Sequence, residues 1–420
     1  MEFAHILSGD AGLAGVRSLL LGTRAHGVLR NELGAMLGDP WQLSDLHLRR
    51  AKFKPGRKLT AYYDVELCDE RGRLLRRRPI AVIWRDIGVR VLVSPMDEQY
   101  PHLAKLSDPS FVAEMVGAPR CSVTTIRYRP GQRHVLRYDI DRRGGARESV
   151  FAKLYRDEAG VRTFEVATRV ADWLTASRDG GASVRPLSRS YVWPAVFYPA
   201  VAGAPLSQRR GTFAGTPASE LQRAGRLLRS LHGAPSTLAF PERPHRFGTE
   251  LSAVARASEH VQVLLAGAAP RIAATLERAR ELNERLPQVR PTLVHGDFKL
   301  DHLWFGPDGL TLIDLDKCCL ADPALDIGKL LADLHWSDLA RGRKGPFDGQ
   351  EDFLRGYGAT PDSPLVRRAR LYEAILLVKI AARRVPLFDR RWQPLTERLL
   401  DHAEGILEQD AARTHPRVFA

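Results

Sequence analysis

Residues 293–316 read LVHGDFKLDHLWFGPDGLTLIDLD and hold three side chains able to do chemistry together. Two short apolar segments, 303–305 and 310–313, flank a Gly-Pro-Asp-Gly turn, which is hairpin logic. Asp297, in the loop His295-Gly296-Asp297, then stands at the entrance of the hairpin. His302 falls at the start of its first strand and Asp314 at the end of its second. Phosphoryl transfer calls for such a set. One carboxylate accepts or orients the proton of the nucleophile, and a second carboxylate with another ligand holds Mg²⁺ on the phosphates. His-Gly-Asp alone says little, because aspartate caps many turns. The full order says more: His-Gly-Asp, a ligand residue five positions after the aspartate, a glycine turn, Ile-Asp, then Asp322-Pro-Ala-Leu-Asp326.

These groups need a partner that holds phosphates, and the chain offers one upstream. Lys153 lies between Ala152 and Leu154, where strand alternation points it away from both neighbours. The stretch 158–177 follows, with Val161, Phe164, Ala167, Thr168, Ala171 and Leu174 at helical spacing, and it carries Glu165. A strand lysine followed by a helix glutamate is the arrangement kinases use on the α- and β-phosphates. Glu158 is a competing partner at the start of the helix.

The lysine strand belongs to a repeat. Residues 52–65, KFKPGRKLTAYYDV, align without gaps on 127–140, RYRPGQRHVLRYDI. Each copy passes through a polar, glycine-containing turn into a second strand, AVIWRD at 81–86 and AKLYRD at 152–157, so that Lys153 falls on Val82. We read a duplicated β-hairpin unit in which only the second copy has the lysine. Residues 1–50 read as mostly helical. Segment 183–206 is strand-like and ends in a turn punctuated by Pro and Gly, marking the crossing from a β-rich part to a helical part. Leu221, Ala224, Leu228 and Leu231 make one face of a helix over 218–232.

Composition sets the frame. With 420 residues the chain is long enough for two or three domains and a substantial core. Four cysteines, none in a CxxC pair, exclude a disulfide framework and a zinc ribbon. No apolar run is long enough to cross a membrane and the N-terminus is a poor signal peptide, so a reducing cytoplasm is expected. The net charge of +14 comes from arginines spread along the whole chain. Modules that read nucleic acid are missing, so nucleic acid is not expected as the main substrate, and the positive field suits a nucleotide phosphate.

The order VHGDFKLDHLWF, LIDLD, ADPALDIG resembles the aminoglycoside phosphotransferase and choline kinase-like family, relatives of protein kinases, over residues 120–400. The resemblance implies that Asp297 is the catalytic base, His295 the structural histidine of its loop and Asp314 the Mg²⁺ ligand. It implies that Lys153 and Glu165 are the phosphate-holding pair, and that Tyr198 opens a hinge, 198–203, over which adenine lies. Asp322 and Asp326 match a segment that braces the catalytic loop. Asp316 is a candidate extra ligand, and Asp301 reads as a solvated surface residue. Two departures stand out. His302 occupies the place of the family's second metal ligand, usually Asn, and Mg²⁺ prefers oxygen. There is no G-x-G-x-x-G, so the turn RPGQR would cover the phosphates, with Gly131 allowing close approach and Arg133 or His134 supplying charge.

The expected fold is therefore α+β and bilobal, protein kinase-like, with a β-rich N-lobe over 121–203 and a helical C-lobe over 204–420. An N-terminal extension over 1–120, containing the first hairpin copy, would form a cap. The expected activity is Mg²⁺-dependent transfer of the γ-phosphate of ATP, with GTP as the alternative, to a hydroxyl or amine of a small molecule. Two other readings stand beside it: a kinase of peptide Ser or Thr side chains in peptide maturation, and a nucleotide-binding pseudokinase or scaffold without turnover.

Overall fold

The computed structural model describes residues 3–37, 42–68, 74–177, 181–190, 192–209, 218–240, 244–342 and 349–414. The polar turn expected at 69–73 in the first repeat lies outside them. Three helices open the chain: α1 (Phe3–Ser8), α2 (Gly12–Leu21) and α3 (Thr23–Leu37). The helical reading of 1–50 ends there, because β1 (Gln42–Lys54) begins the first sheet. Residues 45–49 alternate exposed Asp45, His47 and Arg49 with the more buried Leu46 and Leu48, a period of two rather than of a helix.

β1 continues as an antiparallel meander through β2 (Lys58–Cys68), β3 (Leu74–Arg85) and β4 (Gly88–Val93). Alternation divides the residues of this sheet between two cores. Leu59, Ala61, Tyr63, Val65, Ile80, Val82 and Trp84 share one cluster with Leu7, Val16, Leu20, Leu29 and Leu33 of the three helices. Tyr62 and Ala81 point the other way, into the core of the second sheet with Tyr128, Leu136, Tyr138 and Ala152. The N-terminal unit also reaches the C-terminal helices: Arg17 donates to the carbonyls of Leu387 and Asp389 at 2.9 and 2.5 Å, and Arg57 is ion-paired with Glu259.

The second sheet runs β5 (Arg120–Arg129), β6 (Arg133–Asp141), β7 (Arg147–Leu154), then Ala195–Pro199 and Ser188–Arg189. The first hairpins of the two sheets close in the same register, Lys54 opposite Lys58 and Arg129 opposite Arg133, around Gly56 and Gly131 at φ 66° and 68°. On the next pair the register corrects the alignment. Ala61 faces Val82 and the matching Leu136 faces Ala152, so Lys153 takes the place of Ile83, one residue beyond Val82. The reason lies in packing. Ala152 and Leu154 are both buried in the sheet's core, as Val82 and Trp84 are in theirs, and the lysine must leave by the opposite face.

Helix Ala159–Ala176 packs beside this sheet, and the chain crosses at 200–205 into the helical part. The crossing is tight. Gly203 sits at φ 91°, and a Cβ there would lie 2.1 Å from the carbonyl oxygen of Phe305, so only glycine fits. Ala204–Pro205, Leu303–Gly306, Gly309–Leu312 and Gly181–Ser183 form a small sheet. The hairpin of residues 303–312 is thereby stitched to the chain on both sides of the second sheet's last strands. Helix Ala218–His232 buries Leu221, Ala224, Leu228 and Leu231 as expected. Helix Pro364–Arg383, buried along most of its length, is the axis of the helical part. Among the described residues no helix is long and apolar enough to cross a membrane.

One helix, Ala324–Ala340, fixes the loop at 295–300. Asp326, Lys329 and Asp333 recur at three and four residues and share one face. Asp326, fully buried, accepts from the amides of His295 and Gly296 at 2.6 and 2.9 Å and lies 3.3 Å from Nε2 of His232. Asp333 accepts from the amide of Leu300 at 2.8 Å. Asp322 accepts from the amide of Ala324 and from Arg368, at 2.9 and 2.6 Å. The change Asp326→Asn keeps the shape but turns one acceptor into a donor facing buried amides. It should lower unfolding free energy by about 2–3 kcal/mol. Urea melts of the two proteins check this, and coincident curves would mean the loop is held by something else.

Candidate active site

The strand of Lys153 meets the hairpin of residues 303–312 across the cleft. Lys153, only 9% exposed, donates to Oδ1 of Asp314 at 2.6 Å and to Oδ1 of Asp316 at 2.5 Å. Arg133 pairs with Asp316 and lies 3.7 Å from Oδ1 of Asp314. Tyr155 donates to Asp316 at 3.0 Å, and Tyr198 shares a hydrogen bond with Tyr155. Burial and the Asp316 carboxylate push both phenols above their ordinary range. Burial alone would raise the pKa of Asp314, yet Lys153, with Arg133 beyond it, holds it well below the carboxylate range. Its backbone is left-handed at φ 66°, the one such non-glycine among the described residues. Strain of about 1–2 kcal/mol is the usual cost, and such residues gather at functional sites.

Asp297 stands on the other side of His302. Lys299, Lys329 and Lys317 approach its carboxylate at 3.0, 3.3 and 3.8 Å. Burial opposes ionisation, but the three ammonium groups hold Asp297 far below its ordinary pKa. Lys329 feels the reverse: burial pulls it down to about 8 although Asp297 favours its charge. None of the three lysines figures in the sequence reading. Lys299 had a signal, two residues past the candidate base. Lys329 had one only in hindsight of the helix, three residues past Asp326.

His302 is placed by two contacts. Its Nδ1 lies 3.0 Å from the carbonyl of Asp297, which can only accept, so Nδ1 carries the proton. Nε2 is then a lone pair, and it lies 3.3 Å from Oδ2 of Asp314. Burial and Lys299 keep the ring neutral. Two acceptors at that separation repel unless a cation is shared between them. The donor set, one carboxylate and one imidazole, fits a divalent ion that takes its other ligands from phosphates and water. Among the described residues no group of three or more His, Cys, Asp or Glu side chains forms a closed metal cage.

Three expectations need correction. Glu165 does not meet Lys153. The buried stripe of helix Ala159–Ala176 is Gly160, Thr163, Val166, Ala167, Val170, Ala171 and Leu174, so Glu165 lies off it and pairs with Arg169 at 3.7 Å. Thr163 is the helix residue that reaches Tyr155. Gly131 has the backbone freedom expected of it, but its amide donates to Asp97 at 2.7 Å, and Asp97 also lies 2.8 Å from His134. That amide is committed to a carboxylate. Asp316, a side candidate in sequence, is central: its side chain is 6% exposed and it meets Lys153, Arg133 and Tyr155. His295 is structural, its Nδ1 accepting from the amide of Asp297 and its Nε2 lying 3.0 Å from the carbonyl of Ile313. Asp301 is half exposed and 3.5 Å from Arg384.

The chain is similar in structure to a choline/ethanolamine kinase family protein from Mesorhizobium loti, at 16% identity and TM-score 0.47, over 68% of this chain and 88% of that one. It is similar to choline kinase from Cryptosporidium parvum at 11% identity and TM-score 0.47, over 74% and 95%. It is also similar to an ethanolamine kinase from Plasmodium vivax at 11% identity and TM-score 0.45, over 69% and 84%. No curated protein sequence matches the chain. The profile of the phosphotransferase enzyme family, APH, matches residues 138–372, more than half of the chain, a span that includes Lys153, Asp297, His302, Asp314 and Asp316 but not Arg133. The chain belongs to the phosphotransferase enzyme family.

Proposed function

We propose that this protein moves the γ-phosphoryl group of ATP, or of GTP, to a hydroxyl or amine of a small acceptor, with Mg²⁺ on the phosphates. The observation that supports it is the meeting of Asp297, His302, Asp314 and Lys153 in one cleft. Asp314 and His302 are the residues that would hold the ion, which offsets charge on the phosphates when bound. Lys153 and Arg133, whose cationic heads lie on Asp314 and Asp316, would turn to the α- and β-phosphates. Asp297 accepts a hydrogen bond from the acceptor hydroxyl and orients it for in-line attack. Kept ionised by the three ammonium groups, it is placed to orient that hydroxyl and to take its proton. Lys299 supplies positive charge beside the nucleophile. Water is kept out by the burial of this cluster, where each charge counts for more than in solvent.

On the same reading, 121–203 and 204–420 are the two lobes and 1–120 is a cap built on a copy of the β5–β7 unit. The shared register around the two Pro-Gly turns supports the duplication.

Two outcomes test the assignments. Asp297→Asn should lower kcat by about 10²–10⁴-fold while nucleotide affinity stays within about threefold. Steady-state kinetics beside nucleotide titration measures both, and a variant with full kcat would remove Asp297 from the reaction. Because imidazole is softer than an amide oxygen, wild type should use Mn²⁺ better than Mg²⁺, and His302→Asn should reverse that order. An unchanged metal preference in the variant would take His302 off the ion.

A further inference from the structure

A second group of charges lies beside the cleft and has no part in the chemistry above. Past the bulge at Leu48/Arg50, β1 places Arg50, Lys52 and Lys54 at alternate positions. Past the bulge at Thr125/Arg127, β5 places Arg127 and Arg129 in the same way. The two rows come together. Lys52 donates to Oε1 of Gln132 at the tip of the β5–β6 turn, at 3.2 Å, and Arg50 donates to the carbonyl of Arg383 at 3.3 Å, where helix Pro364–Arg383 ends. The Tyr62 hydroxyl, between Arg50 and Arg129, shares a hydrogen bond with Gln132. Three separate parts of the chain thus deliver cations to one place.

These cations lack counter-charge. The charges acting on Arg50 are Arg383, Arg127, Arg384 and the Tyr62 phenol. Those acting on Lys52 are Arg50, Arg129, Arg383 and Lys54, and with burial they pull it down to about 7. Those acting on Arg129 are Arg50, Arg127, Arg133 and Tyr62. No carboxylate among the described residues is paired with Arg50, Lys52, Arg127, Arg129 or Arg383. The neighbouring cleft is built differently: Lys153, Arg133, Lys299, Lys329 and Arg384 each lie against a carboxylate. Like charges gathered in half-buried ground repel, and the arrangement becomes favourable when an anion is seated among them.

Position says which anion. Arg129 pairs with Arg133 across the turn, and Arg133 reaches Asp314 and Asp316. On the far side Arg384 pairs with Asp333 and lies 3.5 Å from Asp301, next to His302. The cluster therefore borders the cleft between the turn that covers it and the end of the catalytic loop. We propose that Arg50, Lys52, Arg129 and Arg383, with Tyr62, anchor the phosphate group of a phosphomonoester acceptor, whose free hydroxyl then faces Asp297. The acceptor role rests on the phosphotransferase reading; the anion site does not. A polycationic acceptor such as an amino sugar would be repelled.

The nucleotide's own phosphates are the other source of the same chemistry, and the test separates them. Ribose 5-phosphate and ribose are titrated by calorimetry into protein saturated with a non-hydrolysable Mg²⁺–ATP analogue, in about 150 mM salt so that diffuse attraction is screened. Saturable binding of ribose 5-phosphate and none of ribose is expected. The double variant K52Q/R129Q should weaken it at least about tenfold, and the exposed single variant R383Q by a few-fold, with analogue affinity unchanged in both. The proposal is overturned if folded wild type does not bind ribose 5-phosphate, if the variants bind it equally, or if they lose the analogue instead. Binding of ribose 5-phosphate by folded protein that fails to bind the analogue would keep the anion site and sink the phosphotransferase reading.

Discussion

Three carboxylates, Asp297, Asp314 and Asp316, share one cleft from which most water is removed. Like charges so placed repel one another unless cations are brought to them. Meeting that demand organises the molecule. Lys153 and Arg133 arrive from two strands of the second sheet, Lys299 from the loop at 295–300 and Lys329 from the helix beneath it. Since Lys153 and Arg133 reach Asp314 and Asp316 from the opposite side of the cleft, their pairing also ties the β-rich part to the helical part. The site is both the place where chemistry would occur and the fastening between the two halves of the fold.

Much of this could be read from the sequence, for identifiable reasons. The hairpin around Gly306–Gly309 was legible because its strands are short, apolar and separated by turn residues, and local signals of that kind survive folding. The helix Ala218–His232 was legible through its single apolar face. Lys153 announced itself as a charge among residues that had to be buried. What stayed hidden depended on partners distant along the chain. Glu165 had the right distance from Lys153 in sequence, but helix rotation decides which residues face the sheet, and Thr163 has that place. Asp97 is an ordinary loop aspartate until the fold brings it to the amide of Gly131. The strand at Gln42–Lys54 was masked by leucines that suit either period, and its pairing with β2 decided the matter.

The turn over the cleft illustrates how a fold can replace one device with another. A glycine-rich loop offers free amides to phosphates. Here the amide of Gly131 is spent on Asp97, and Tyr128 donates to the carbonyl of Met96 at 2.6 Å, so the turn is fastened to residues 96–97 just after the first sheet. The turn presents side chains instead of backbone: Arg133 toward the carboxylates and Arg129 away from them. Positive charge carried on long side chains can follow a ligand, whereas fixed amides cannot.

The N-terminal unit touches both halves of the molecule, with Tyr62 and Ala81 in the core of the second sheet and Arg17 on the carbonyls of Leu387 and Asp389. A cleft hinged only at the 200–205 crossing would be free to swing, and each binding event would have to quench that motion. A third body fastened to both walls removes much of the swing in advance. Ligands then surrender less entropy on binding. The same rigidity would resist the opening through which ligands leave.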